Sequence, residues 1–428
     1  MVFFTSNQEK QWQIHRNKMA DINTTLELDG SEGCEWEGWG GCFNELSQKA
    51  LMTLTDVNRS QVYDLLFAKE EDGLRLEFCR LPIGASDYSE IWYSHDEHDG
   101  DFGMAHFSIK RDKRYLIPYI TEALRRNPDM KLFASPWSPP TWMKFPAVFN
   151  HGTLEWTEHN LNAYALYFVK FINEYKKENI EINQIHIQNE PMSDQKFPSC
   201  KWTGEQMAEF IGKHLGPAFK KHDIKAKIWL GTLNGAPIDE QISDISNNFA
   251  NIALHDKDAY KYIEGVSYQW AGKNALPSVR ASFPEKKYLQ SENECGDGKN
   301  TWSYMNYIFG LYRHYITNGV CAYMYWNMVL SPKGKSSWGW EQNSMITADG
   351  EYTLNYEYYL MKHFSRYVRK GSKSLGLSGH FSGNSVAFKN TDGNIILITQ
   401  NPFNYEITFK FNGQVITLPK NSINTIIF

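Results

Sequence analysis

Two glutamates close short apolar runs in a pattern that suits acid–base chemistry. Glu190 stands in Ile187-Gln188-Asn189-Glu190-Pro191, and Glu292 in Leu289-Gln290-Ser291-Glu292-Asn293-Glu294. Cleaving an acetal needs a proton on the departing oxygen and electron density at the anomeric carbon. One carboxylic acid and one carboxylate supply both without metal or cofactor. A single glutamate at a strand end ordinarily just bonds loop amides; a pair closing two separate runs, one inside Asn-Glu-Pro, is more specific. Other run ends carry Ser86-Asp87, Trp137, Gln269-Trp270 and Trp326-Asn327. Together these make a polar, aromatic-walled cup. Amides and carboxylates bond hydroxyls and indoles face the C–H side of a ring, so the cup suits a neutral, polyhydroxylated ligand. Trp338-Gly339-Trp340 follows the last run, where mouth wall and core packing carry equal weight.

Other chemistries fit poorly. His95-Asp96-Glu97-His98-Asp99-Gly100-Asp101 lacks the spacing of a calcium loop and reads as a solvated rim loop. Gly296-Asp297-Gly298-Lys299-Asn300 lacks the spacing of a phosphate loop. The six cysteines form no C-x-x-C pair and no zinc pattern, and in a chain this long they read as reduced and mostly buried. No metal and no cofactor is expected. A net charge of −5 disfavours nucleic acid as a partner. No apolar run approaches the ~18 residues of a membrane span. The N-terminus lacks the apolar core of a signal peptide, which favours a cytoplasmic protein, or a secreted one whose leader has been removed.

Positioning such a cup requires a scaffold with many strand ends on one face. Strand-like runs occur at Trp36–Phe43, Leu74–Ile83, Lys131–Trp137, Gln184–Gln188, Ala226–Leu233, Tyr262–Trp270, Lys287–Ser291 and Ala322–Met328. Helix-like stretches separate them, among them Leu161–Lys177, Trp302–Thr317 and one opening on the capping box Thr203…Gln206. Eight strand–helix alternations predict a (β/α)₈ TIM barrel, whose functional residues gather at the C-terminal ends of the strands. After about Phe364 the pattern becomes strand and turn: Val386–Phe388, Asp392-Gly393, Ile395–Thr399, Ile407–Phe411, Asn412-Gly413, Val415–Leu418 and Ile423–Phe428. This predicts a small antiparallel β-sandwich side domain of residues 365–428, joined by residues 1–30 through Trp12–His15 and Thr25–Leu28. The barrel takes residues 31–364. Aromatic residues make up 15% of the chain, which suits both core packing and sugar stacking.

The chain resembles glycoside hydrolase family 30, the group of glucosylceramidase, β-xylosidases, β-1,6-glucanases and glucuronoxylanases. The resemblance rests on Gly38-Trp39-Gly40-Gly41, Arg80-Leu81-Pro82-Ile83-Gly84-Ala85-Ser86-Asp87-Tyr88-Ser89, Phe133-Ala134-Ser135-Pro136-Trp137-Ser138-Pro139-Pro140-Thr141-Trp142, Gln188-Asn189-Glu190-Pro191, Ser291-Glu292, Tyr325-Trp326-Asn327 and His363-Phe364-Ser365. It implies a barrel with a side β domain from both termini and a retaining mechanism, with Glu190 as acid/base and Glu292 as nucleophile. Asp87, Trp137, Asn189 and Trp326 match sugar-lining positions, Asp87 on distal hydroxyls and Asn189 on the 2-hydroxyl. Gln269-Trp270-Ala271 departs from the family's His-Trp-Tyr, and Ser291-Glu292-Asn293-Glu294-Cys295 from its Ser-Glu-Ala-Cys. Gln269 and Trp270 are therefore the substrate-binding positions that bear on sugar and aglycone. Glu294 becomes a rival nucleophile, because alternation puts it on the side of Glu292. The expected activity is an exo-acting retaining β-glycosidase for short glucosides or related sugars. Its rivals are an endo-β-1,6-glucanase, a β-xylosidase or β-fucosidase, and, from another class, a catalytically silent sugar-binding barrel.

Overall fold

The computed structural model describes residues 1–17, 24–70, 72–235 and 245–428. Eight parallel strands close into a barrel in chain order: β1 (Gly38–Cys42), β2 (Phe78–Ile83), β3 (Lys131–Pro136), β4 (Gln184–His186), β5 (Lys227–Leu233), β6 (Ile263–Gln269), β7 (Lys287–Glu292) and β8 (Ala322–Asn327). Each overlaps a run read from the sequence, and the TIM barrel is as expected. The runs are legible because a barrel strand is covered on both faces and so carries few charges; β2 and β8 are buried at every position.

The barrel interior is layered. Phe78, Phe133, Trp229, Leu289 and Met324 fill its floor. Two residues further along their strands, alternation brings Arg80, Ser135 and Ser291 onto the same inner face. Closure at β1 depends on Gly40, where a Cβ would stand 1.7 Å from the Phe78 carbonyl oxygen and 2.8 Å from Met324 Sδ. The helix Trp302–Thr317 is N-capped by Thr301 and stops at Asn318-Gly319, with Gly319 at φ +82°. Thr203 and Gln206 form the expected reciprocal capping box.

The side domain is a seven-stranded antiparallel sheet in the order Gln13–Ile14, Val2–Asn7, Ser422–Ile427, Ile395–Asn401, Ser385–Lys389, Lys373–Gly379, Leu26–Glu35. A separate hairpin, Ile407–Phe411 with Gln414–Leu418, packs Phe409, Phe411, Ile416 and Leu418 against Phe3, Leu397 and Ile426. Two strands of this sheet escaped the sequence reading. Val2–Asn7 is defined by its ladder to the C-terminal strand, and the Gly/Ser-rich Lys373–Gly379 by its pairing with Leu26–Glu35; a partner at the far end of the chain leaves no local signal in the first case. His363 ties the helix Tyr356–Ser365 to both termini through Ser6 Oγ at 2.8 Å and Thr425 Oγ1 at 2.9 Å. The six cysteines are unpaired, and all but Cys34 are buried. Among the described residues no helix is long and apolar enough to cross a membrane.

Candidate active site

Glu190 and Glu292 meet at the C-terminal mouth of the barrel. Beyond β4 the ladder continues on alternate sides: Gln188 N–H bonds Gly231 O, Asn189 N–H bonds Pro136 O, and Glu190 N–H bonds Thr232 O. The segment Gln188–Glu190 is thus gripped from both neighbouring strands, with Glu190 in the left-handed region at φ +48°. A non-glycine residue held there is strained and persists only where its surroundings fix it. Glu292 is the last residue of β7. One amide nitrogen, Gln269 Nε2 at the end of β6, donates to Glu190 Oε1 at 3.1 Å and to Glu292 Oε2 at 3.2 Å. Those bonds laid end to end set the ceiling on the gap between the two oxygens. It bounds one oxygen of each carboxyl and leaves room for the ~5–5.5 Å between the carboxyl groups of a retaining pair.

The two carboxyls have unequal surroundings. Glu292 Oε2 also accepts from Arg80 Nη1 at 2.8 Å, and its Oε1 accepts from the Trp270 indole at 3.0 Å. The Glu190 carboxyl accepts from Gln269 alone among the described residues. Burial and the nearby charge of Glu292 push Glu190 up to about 8. Burial raises Glu292 as well, but Arg80, Trp270 and Gln269 oppose it. Three donors favour the charged form, so Glu292 is the first of the pair to ionise. Asp87 is raised well above the ordinary carboxylate range by burial and by both glutamates, so it can donate as well as accept a hydrogen bond.

Arg80 was quoted within a motif but given no role in the sequence reading. It is fully buried, and every N–H of its guanidinium has an acceptor. Nε and Nη2 bond Ser135 Oγ, Nη2 bonds Asn189 Oδ1 at 2.6 Å, and Nη1 bonds Glu292 and the Ser291 carbonyl. The guanidinium lies over the rings of Trp137 at 4.5 Å and Trp326 at 5.5 Å. The available signal was an arginine in the middle of an otherwise apolar strand run, since a buried charge must be paired. Arg80→Met should therefore lower stability by about 3–5 kcal/mol, the cost of stranding a buried partner charge. Thermal melts should show a larger loss at pH 8 than at pH 5, where Glu292 can escape by taking up a proton. Equal losses at both pH values would detach Arg80 from Glu292.

A cavity of about 310 Å³ opens over the carboxylates. Asp87, Trp137, Asn189, Glu190, Trp270 and Glu292 line it, while Gln269 and Trp326 sit immediately behind. Three donors (Arg80, Thr232 and Gln269) surround Asn189 Oδ1 and fix the amide orientation, leaving Nδ2 to donate into the cavity. Trp338 and Trp340 are wall residues. With Trp270 and Phe197 they make a continuous run of rings, each 5.7 Å from the next. Glu294 is not beside Glu292 as strand alternation predicts. β7 ends at Glu292, and Glu294 turns out of the cavity to Lys273 and Tyr307. The His95 run is only half a solvated loop. His98, Asp99 and Gly100 are exposed, but His95 is buried beneath the Asp87 loop and accepts the Gly84 N–H at 3.1 Å.

The family model described as the glycosyl hydrolase family 30 TIM-barrel domain matches residues 36–368. The lysosomal acid glucosylceramidase of Mus musculus is 26% identical over 85% of this chain and 74% of its own. An endo-1,6-β-D-glucanase of Trichoderma harzianum is 26% identical over 91% of this chain and 83% of its own. Among solved structures, SrfJ from Salmonella typhimurium superposes with a TM-score of 0.89 at 23% identity, covering 100% of this chain and 99% of that one.

Proposed function

The chain belongs to glycosyl hydrolase family 30 and is a glycoside hydrolase, and we propose that it is a retaining, exo-acting β-glycosidase with Glu292 as nucleophile and Glu190 as acid/base. The observation that carries this reading is the unequal pair: two carboxyls sharing one amide, one held by three donors and the other pushed up to about 8. Environments that separate the titrations of two neighbouring carboxyls assign acid and nucleophile. Glu292 attacks the anomeric carbon as the glycosidic bond breaks, and Glu190 passes its proton to the departing oxygen. The glycosyl ester removes the charge of Glu292, one cause of the raised Glu190 value, so Glu190 becomes a competent base. It then takes a proton from the water that attacks the ester, and the sugar leaves with its β configuration.

The substrate is a carbohydrate. The proposed sugar site lies at the closed end of the cavity, with Asp87 toward distal hydroxyls, Asn189 Nδ2 toward the 2-hydroxyl, and Trp137 backed by Trp326. The aromatic run of Trp270, Trp340, Trp338 and Phe197, together with the polar side chains of Ser193, Gln195 and Asn234, suits a second sugar ring as leaving group. A volume of about 310 Å³ is at the small end of the ~300–1,000 Å³ of ligand cavities, which favours removal of single residues from glucosides. The fungal 1,6-glucanase relative favours a second reading, endo cleavage of β-1,6-glucan. Digestion of that glucan should release single sugars from the outset with slow loss of chain length; early accumulation of long oligosaccharides would reverse the choice. A panel of aryl β-glucoside, xyloside, fucoside and galactoside fixes the preferred sugar, with the glucoside expected to be fastest.

A further inference from the structure

Glu294 takes no part in the chemistry proposed for its neighbour, yet it is held by two partners. Its Oε1 accepts from Lys273 Nζ at 2.6 Å, and its Oε2 accepts from the Tyr307 hydroxyl. The ion pair is sheltered, with side-chain exposures of 15% for Glu294 and 23% for Lys273, so solvent screens it less than a surface pair. Neither residue lines the cavity. Lys273 belongs to the single 3₁₀ turn Trp270–Asn274 that follows β6. Its Nζ also donates to the Trp270 carbonyl at 3.2 Å, and its own carbonyl is bonded by His314 Nε2 at 3.0 Å.

Trp270 is the residue that needs such a hold. It sits at φ +48°, a conformation unfavourable for a bulky side chain unless neighbours impose it. The Trp340 ring touches its indole, whereas Lys273 grips its backbone. From this backbone the indole reaches Glu292 Oε1. A chain of contacts therefore starts at Glu294 just past β7, crosses to the turn after β6, and returns to the end of β7 at Glu292.

We propose that Glu294 is a positioning residue: its ion pair with Lys273 clamps the turn after β6 so that the Trp270 indole holds Oε1 of Glu292. The proposal rests on the reading of Glu292 as nucleophile. Its test is the pH profile of kcat/KM, because losing the indole bond removes a donor to the ionised carboxylate and moves the acid limb to higher pH. The other ionisable groups facing Glu292 are Arg80 from β2, Asp87 and Tyr88 after β2, Glu190 after β4, Cys42 from β1, Cys295 after β7 and Tyr315 from the helix Trp302–Thr317. None is altered in the variants below.

Glu294→Gln is diagnostic by sign. Deleting a negative charge near Glu292 would, by field alone, move the acid limb to lower pH. Loss of the clamp moves it higher. With an aryl β-glycoside that the wild type cleaves, Glu294→Gln is expected to raise the limb by about half a unit or more and lower kcat/KM about tenfold. Trp270→Phe should do the same, and adding Glu294→Gln to it should cost nothing further, because both variants remove one contact. A limb unmoved or lowered in Glu294→Gln, or losses that multiply in the double variant, would overturn the clamp. Should Glu294→Gln not fold, Glu294→Asp decides alone: it keeps the charge and shortens the reach to Lys273, so a raised limb supports the clamp and an unmoved one overturns it. Glu292→Gly separates this proposal from its premise. Full activity there defeats the nucleophile reading, whereas a dead variant beside an unmoved Glu294→Gln limb defeats only the clamp.

Discussion

Replacing Glu292 by glycine is expected to cut hydrolysis by roughly 10⁴-fold or more, the scale on which losing a nucleophile acts. Azide or formate should restore turnover and give an α-configured product. The vacated space keeps Arg80, Gln269 and the Trp270 indole as donors that converged on the lost carboxylate. A small anion fits the same three hydrogen bonds and the same positive charge. It lies on the face of the sugar from which Glu292 would have attacked, so one displacement replaces two and the anomeric centre inverts. Product configuration by proton NMR is the measurement. Adding Arg80→Met should abolish the rescue, because the anion loses the positive charge that Arg80 supplies. Glu294→Gly should still yield the β product. An α-azide from Glu294→Gly beside an active Glu292→Gly would move the nucleophile by two residues.

The scaffold was more legible than the site it holds. Barrel strands announce themselves because burial on both faces makes Phe78–Ile83 or Ala322–Asn327 nearly continuous apolar runs, and the function-bearing ends follow once those runs are counted. Glu190, Glu292, Asp87 and Trp137 could be read as members of a cup on that basis. Their connections could not. Arg80 touches Ser135, Asn189, Ser291 and Glu292, residues up to 212 positions away, and no local pattern encodes such a contact. Gln269 was read as a substrate contact and lies behind the carboxylates as their shared donor, a role decided by where β6 ends relative to β4 and β7. Glu294 was misplaced because alternation holds only while the strand does, and β7 stops at Glu292. His95 was taken for a solvated loop residue because its run is rich in charge; its burial comes from the rings of Tyr167 and Phe171 on the helix Glu158–Lys177.

Glu190→Ala should fail in a different way, with a loss set by the leaving group. A poor leaving group needs the proton, so its kcat/KM should fall by about 10²–10⁴, the usual worth of a general acid. A dinitrophenyl glycoside needs little protonation and should lose far less in its first step. Azide should rescue this variant too, by attacking the glycosyl ester from the β face, and the product is then a β-azide. The wild-type pH profile carries the same information. Glu190 acts as an acid only while protonated, and burial with the charge of Glu292 holds it up to about 8, so kcat/KM should fall as pH rises through that value. Glu190→Ala should lack this alkaline limb. Stability should fall over the same rise in pH. A raised carboxyl favours the fold fully below its ordinary value near 4.5, and that contribution is lost as pH rises through about 8, where the buried group must ionise. Glu190→Gln keeps the shape and removes the ionisation, so above pH 8 it should melt at a higher temperature than the wild type while cleaving poor leaving groups more slowly. A glutamate kept only to bond loop amides would lose stability on this substitution and keep its activity, so melting temperature and rate measured on one variant separate the two roles.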